Sequence, residues 1–302
     1  MSHLLEQNNQ RLKGIILVLT AAVFWGVAGT VAQFLLSKSF TVEWLVSMRL
    51  SVSGIVLLTF LRMTRGKQIF AIWRKKEDVI RLLLFSLVGM LGVQYTFFAA
   101  IFHSNAATAT VLQYLAPTMI VVYVALRMKR LPNRQEVIAI ILALTGTVLL
   151  VTKGQLGTLS ISSWALFWGI ASAITLAFYT LQPYKLIAKW GAITVIGWSM
   201  FIGGAVFTSI YPPSFQSIEW STINIISVLF IVFFGTLIAF YFYLESLTFI
   251  SPSEASLLAC VEPLSAAVLA VVWLQVTFTM AEWIGAFCII GTVAVLSLRK
   301  SK

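Results

Sequence analysis

Ten mostly apolar stretches, most of them close to 20 residues long, fill this chain almost end to end. They fall at roughly 14–36, 44–63, 79–102, 106–126, 136–152, 162–184, 192–211, 221–244, 252–274 and 280–298. About 20 such residues cross the roughly 30 Å hydrocarbon core of a bilayer as a helix. In that solvent a backbone must satisfy its own hydrogen bonds, which leaves only helices and closed barrels. A barrel needs short segments alternating in polarity, and these are absent. Composition agrees: 60% of the 302 residues are hydrophobic and 10% charged, against about a quarter charged in soluble domains. The expectation is an all-α polytopic membrane protein with ten transmembrane helices. The first span follows Arg11 and Lys13, is too long for a signal-peptide core and has no small-residue cleavage site after it, so it reads as a retained helix. Cys260 and Cys288 both lie in spans and indicate no disulfide framework.

The net charge of +11 raises nucleic acid as a partner, and the placement of the cations decides against it. With a cytoplasmic N-terminus, the inside holds Arg11 and Lys13, the 62–81 group, the 127–134 group, Lys185 and Lys189, and Arg299, Lys300 and Lys302. Of the 21 Lys and Arg residues, three stand apart: Lys38 and Lys153 outside and Arg49 within a span, so the other 18 are inside. That is the positive-inside pattern, and it places both termini in the cytoplasm. The connection 64–78 reads as a basic loop that sets orientation, with anionic lipid headgroups as its alternative partner.

The chain also repeats itself. "FWGVAG" (24–29) returns as "FWGIAS" (167–172), "QYLAPTMIVVYVAL" (113–126) as "ACVEPLSAAVLAVV" (259–272), and "TGTVLL" (145–150) as "IGTVAV" (290–295), at offsets of 143, 146 and 145 residues. A five-helix unit thus occurs twice, over 1–155 and 156–302. Five is odd, so the second copy enters the membrane from the opposite side. Loop charge agrees: "RMKRLPNRQ" (127–135) is basic and its counterpart "LQVTFTM" (274–280) has no cation; 64–78 is basic and "PPSFQSIEW" (212–220) has none. Two inverted-topology five-helix repeats are typical of secondary transporters, whose substrate site lies near the midplane between the repeats.

Few residues in the spans can carry chemistry. Glu262 lies ten residues past Pro252, about 15 Å along a helix and half the core thickness. A charge there costs at least ~2.5–3.5 kcal/mol, so Glu262 faces a cavity or a partner. It reads either as a site that takes and releases a proton or holds a cationic group, or as a protonated side chain bonded to a neighbouring helix. Pro263 removes a backbone donor from the Ala259 carbonyl, and Pro117 does the same to Gln113; the two kinks at matched depth either line the pathway or improve packing. Arg49, about 7.5 Å in from Trp44, has three readings: pairing with Glu262, meeting a substrate carboxylate, or snorkelling to the outer headgroups. Trp25 and Trp168, and Tyr95 and Tyr241, are repeat-equivalent aromatic pairs. With Gln94 and Gln113 they are candidates for an aromatic cavity with a few hydrogen-bonding points, against plain packing. Ser251, Pro252 and Glu254 read as the N-cap, first residue and capping-box partner of a helix. No H-E-x-x-H, G-x-S-x-G or P-loop occurs and no span holds an aspartate. The sequence therefore points away from an enzyme, a primary ATP-driven pump and a metal or cofactor site, and it sets no oligomeric state.

Ten spans, an inverted five-helix repeat, "FWG" in each first helix, Arg49 in the second, and "AP" (116–117) and "EP" (262–263) in the fourth and ninth resemble the EamA family of the drug/metabolite transporter superfamily. The resemblance implies a multipass inner or plasma membrane protein that exports small metabolites, often amino acids, from a central cavity by alternating access and without ATP. Glu245 and Ala116 depart from the family pattern and make the halves electrically unequal, which assigns any proton site to the second half. The resulting expectation is a secondary transporter of an amino acid or similar amphipathic compound. The alternatives are efflux of hydrophobic cations, with Arg49 outside the cavity, and a non-transporting scaffold.

Overall fold

The computed structural model describes residues 2–129, 131–152, 162–215, 218–259, 261–265 and 279–297. Among them the chain is helical and contains no strand. Lys153, the 155/156 boundary, Cys260, residues 266–274 of the ninth span, most of the 274–280 connection and the C-terminal cations lie outside the described residues.

The helices are α1 (Ser2–Leu36), α2 (Val42–Arg65), α3 (Lys76–Leu84), α4 (Gly92–His103), α5 (Ala106–Gln113), α6 (Leu115–Arg127), α7 (Arg134–Thr152), α8 (Ser163–Leu181), α9 (Tyr184–Trp190), α10 (Ala192–Ile210), α11 (Thr222–Val232), α12 (Ala239–Ser246), α13 (Pro252–Leu258) and α14 (Met280–Ser297). Phe85–Leu91 joins α3 to α4 as a π-helical turn, and Phe233–Ile238 joins α11 to α12 in the same way. Among the described residues, six continuous helical stretches are long and apolar enough to cross a membrane: Asn9–Leu36, Val42–Arg74, Lys76–His103, Ser163–Trp190, Ala192–Ile210 and Thr222–Ser246. Their outward faces carry large apolar side chains such as Ile55, Phe60, Ile174, Ile226 and Leu229, as a lipid-facing surface does.

Helix ends follow local chemistry. Thr41, Ser162, Ser221 and Ser251 each accept the backbone N–H three residues on, satisfying a donor the first turn leaves free. Asn133 and Glu136 form a reciprocal capping box, at 2.8 and 2.9 Å. Ser251 caps α13 with Pro252 as its first residue, as its sequence implies. Glu254 differs from expectation: its carboxylate accepts from Arg11 Nε (3.0 Å) and Nη2 (2.8 Å) and so ties the start of α13 to α1. In a bond to the guanidinium both partners are charged, whereas a backbone N–H is neutral.

The 64–78 connection is also more ordered than a loop. Gly66–Arg74 forms a 3₁₀ helix that buries Ile69 and Ile72. A three-residue turn puts positions i and i+3 on one face, and the Ile69 carbonyl accepts Trp198 Nε1 at 2.9 Å.

The bundle is held by α7 against α14, α2 against α10, α4 against α8 and α1 against α12. At the α2–α10 seam the backbones approach closely: a Cβ on Gly54 would lie 2.4 Å from the Phe201 backbone nitrogen, and one on Gly204 2.7 Å from that of Ser51. Small residues let helix backbones approach where lipid supplies no hydrophobic drive. Gly54→Ala should therefore lower the thermal midpoint of the detergent-solubilised protein, at an overpacking cost of roughly 1–3 kcal/mol. Gly29→Ala, whose nearest neighbour would be 3.8 Å away, should leave it unchanged.

Candidate transport site

Side chains from α1, α2, α4, α8, α12, α13 and the α5–α6 junction converge on one partly open cavity. Its walls are mainly apolar, including Phe97, Phe98 and Phe240, and its polar groups are few. Arg49 and Glu262 are both lining residues, exposed by only 4% and 5%.

Arg49 neither snorkels outward nor pairs with Glu262. Its Nε donates to Thr236 Oγ1 at 2.8 Å and its Nη2 to the Gly235 carbonyl at 3.2 Å. Its guanidinium lies 4.5 Å from the Phe98 ring centroid and 5.8 Å from that of Phe240, a cation–π arrangement that offsets part of the cost of burial. The π turn supplies the acceptors. One turn along α2, Ser53 donates to the Val232 carbonyl at 3.1 Å, and Thr236 Oγ1 donates back to Ile231 at 2.7 Å. A π turn opens the regular hydrogen-bond ladder, and α2 reaches three of the carbonyl and hydroxyl oxygens it presents.

Glu262 Oε2 is 3.1 Å from Tyr114 Oη. The same hydroxyl donates to the carbonyl of Ala259, the one deprived of its helical donor by Pro263. The Glu262 backbone N–H also reaches that carbonyl, at 2.9 Å, in a tighter turn. In the other half the helix breaks at Tyr114, and Pro117 falls in the first turn of α6, where its missing N–H is no loss.

Of the residues singled out in the sequence, Trp25, Arg49, Gln94, Gln113 and Glu262 meet at this cavity. Gln113 donates to Ser172 at 2.6 Å. Gln94 donates to the Met90 sulfur at 3.3 Å, while its Oε1, like Trp25 Nε1, is buried without a hydrogen-bond partner among the described residues. Tyr95, Trp168 and Tyr241 are not lining residues. Tyr95 packs on Trp168, with centroids 5.4 Å apart, and on Phe207, and Tyr241 lies beside Phe242. Helix geometry separates them: adjacent residues differ by about 100° around the axis, so Gln94 brings Phe97 and Phe98 to the cavity and turns Tyr95 away. Phe240 likewise brings Tyr243, not Tyr241. Tyr114, Tyr243 and Ser256 are the polar lining residues that sequence reasoning missed, and this three-to-four-residue spacing is the signal that finds Tyr243.

The sequence matches the EamA-like transporter family over residues 12–152 and again over 163–298. The chain belongs to the EamA-like transporter family. Among its relatives, the uncharacterized inner membrane transporter YicL of Salmonella typhimurium is 44% identical over 287 residues, 95% of each chain. The uncharacterized transporter YwfM of Bacillus subtilis is 26% identical over 95% of each. One crystal structure of a protein, at 19% identity, superposes with a TM-score of 0.73 over 93% of this chain and 95% of that one, a likeness of fold alone. This EamA-like transporter is a multi-pass membrane protein.

Because Arg49 depends on a neutral hydroxyl, Thr236→Val should leave a buried guanidinium N–H without its acceptor. A loss of about 1.5–3 kcal/mol is expected in thermal unfolding, with Thr236→Ser retaining most of the stability.

Proposed function

We propose that this EamA-like transporter is a secondary transporter that exports a small zwitterionic metabolite, an amino acid or similar amphipathic compound, by alternating access of the Arg49–Glu262 cavity. One observation carries the reading: a buried cation and a buried carboxyl face one cavity without pairing. No ion pair among the described residues includes Arg49, although a lone buried charge costs several kcal/mol. A zwitterion answers both groups. Its carboxylate meets the remaining guanidinium N–H groups and Trp25 Nε1, its ammonium meets Glu262 and Gln94 Oε1, and its apolar body lies among Phe97, Phe98 and Phe240. Hydrophobic-cation efflux requires Arg49 to stay outside the cavity, where it does not lie.

Coupling follows from exclusion. Glu262 holds either a proton or the substrate's ammonium group, so a proton entering from outside displaces the substrate and its release readmits one. The two halves of the transporter are inverted five-helix repeats with ten transmembrane helices in all. Support comes from the double family match, from a π turn in each half, and from the α2–α10 seam: under an offset of 150 residues, Gly54 on Phe201 exchanges with Gly204 on Ser51. The distribution of cations supports cytoplasmic termini, and the relative named as an inner membrane transporter supports that membrane as the location.

In proteoliposomes, Glu262→Gln should abolish the pH dependence of substrate counterflow while thermal unfolding stays near that of the unmodified protein; proton dependence that survives removes Glu262 from the coupling. Single cysteines at Phe70→Cys and Thr279→Cys should react with an impermeant maleimide from opposite faces of the membrane, the first from inside. Labelling from one face would contradict the inversion.

A further inference from the structure

The Tyr114 hydroxyl meets two oxygens at once, the Ala259 carbonyl and Glu262 Oε2 at 3.1 Å, and a phenol has one hydrogen to give. The carbonyl is an acceptor in every state, and Pro263 has no N–H to offer it. A protonated Glu262 can donate its own O–H to Tyr114, which leaves the phenolic hydrogen to the carbonyl. The contact with Glu262 is then a hydrogen bond only if Glu262 carries a proton and donates it to Tyr114. Once Glu262 is ionised, both of its oxygens only accept, and two acceptors compete for one phenolic hydrogen. A bond to a carboxylate is about twice as strong as one between neutral groups, so the hydrogen turns to Glu262 and Ala259 loses that donor.

We propose that Tyr114 is the positioning residue that converts the protonation of Glu262 into a change in the hydrogen bonding of the turn at Ala259, where α13 ends. The inference rests on the reading of Glu262 as the protonatable centre and adds the element that senses it. Tyr114 sits at the break between α5 and α6, so the switch links the broken helix of one half to that of the other. The other titratable groups facing Glu262 across the cavity are Arg49 of α2, bonded to the π turn, and Tyr243 of α12, whose hydroxyl pairs with Thr180 at 2.9 Å. On the helices packed against α13, Arg11 of α1 is paired with Glu254 at the start of α13, Lys13 of α1 lies over the Phe249 ring, Tyr123 and Arg127 lie towards the end of α6, Arg134 and Glu136 open α7, Tyr179 of α8 donates to the Phe240 carbonyl, and α14 carries Cys288.

Infrared difference spectroscopy after a pH jump, on the full-length protein in lipid vesicles without substrate, tests the switch. In the unmodified protein, loss of a carboxylic-acid C=O band should accompany a change in a tyrosine ring band, and Glu262→Gln should remove both. In Tyr114→Phe the tyrosine change should vanish and the acid band should move to higher frequency, as for a carboxylic acid that has lost a partner. If Tyr114→Phe does not fold, ring-deuterated tyrosine in the unmodified protein gives a second readout, and the pH-induced band must shift with the label. An acid band unmoved by Tyr114→Phe, or a pH-induced band indifferent to the label, overturns this inference alone. Absence of any titrating acid band that Glu262→Gln removes overturns the reading of Glu262 and this inference with it.

Discussion

Backbone oxygens out of reach of water need a donor, and the places where this chain interrupts its helices are the places where it has to supply one. At the 233–238 π turn the donors are Arg49, Ser53 and Thr236. At the Ala259 carbonyl, which Pro263 leaves without its helical donor, the donors are the Tyr114 hydroxyl and the Glu262 backbone N–H. Both solutions bring polar side chains to the middle of an apolar bundle, and the cavity lies where they meet. Structural repair and the proposed transport chemistry therefore use the same residues. Arg49 is at once the clasp that holds α2 on the π turn and a buried cation facing the cavity.

That double use bears on how the transporter can move. An ion pair between Arg49 and Glu262 would neutralise both charges and leave the cavity with little reason to take up a charged solute. Anchoring Arg49 on neutral oxygens and Glu262 on a phenol keeps both groups in place and uncommitted. In the proposed cycle, substrate and proton then alternate at Glu262, and the helix breaks beside it are the points at which small changes in hydrogen bonding tilt long helical segments.

Much of the fold was legible in the sequence because hydrocarbon permits few solutions: helix makes up most of each expected span as far as it is described, interrupted by turns at Tyr114, at Gln182 and Pro183, and at Ala259. Glu262 and Arg49 stood out because ionisable groups are costly at membrane depth. Other features were not legible. Repeat equivalence singled out Tyr95 and Tyr241 on the same grounds as Trp25, yet equivalence does not say which face a residue shows, and one step along a helix is about 100°. Trp168 shows that equivalent positions in two diverged halves need not keep equivalent surroundings. The π turns leave no mark in composition, so the acceptors for Arg49 were invisible, and the 66–74 segment hid an i, i+3 isoleucine pair under its basic residues.

The central claim is that a buried guanidinium and a buried carboxyl that do not pair with each other select a zwitterion. Thermal unfolding of the purified transporter against an amino acid, the matching amine and the matching carboxylic acid tests it most directly, since a ligand at 100 times its Kd stabilises by about 2.7 kcal/mol. The account predicts that the amino acid alone raises the midpoint strongly and that Arg49→Ala removes its advantage over the amine. An amine that stabilises as much as the amino acid, with or without Arg49, would contradict it.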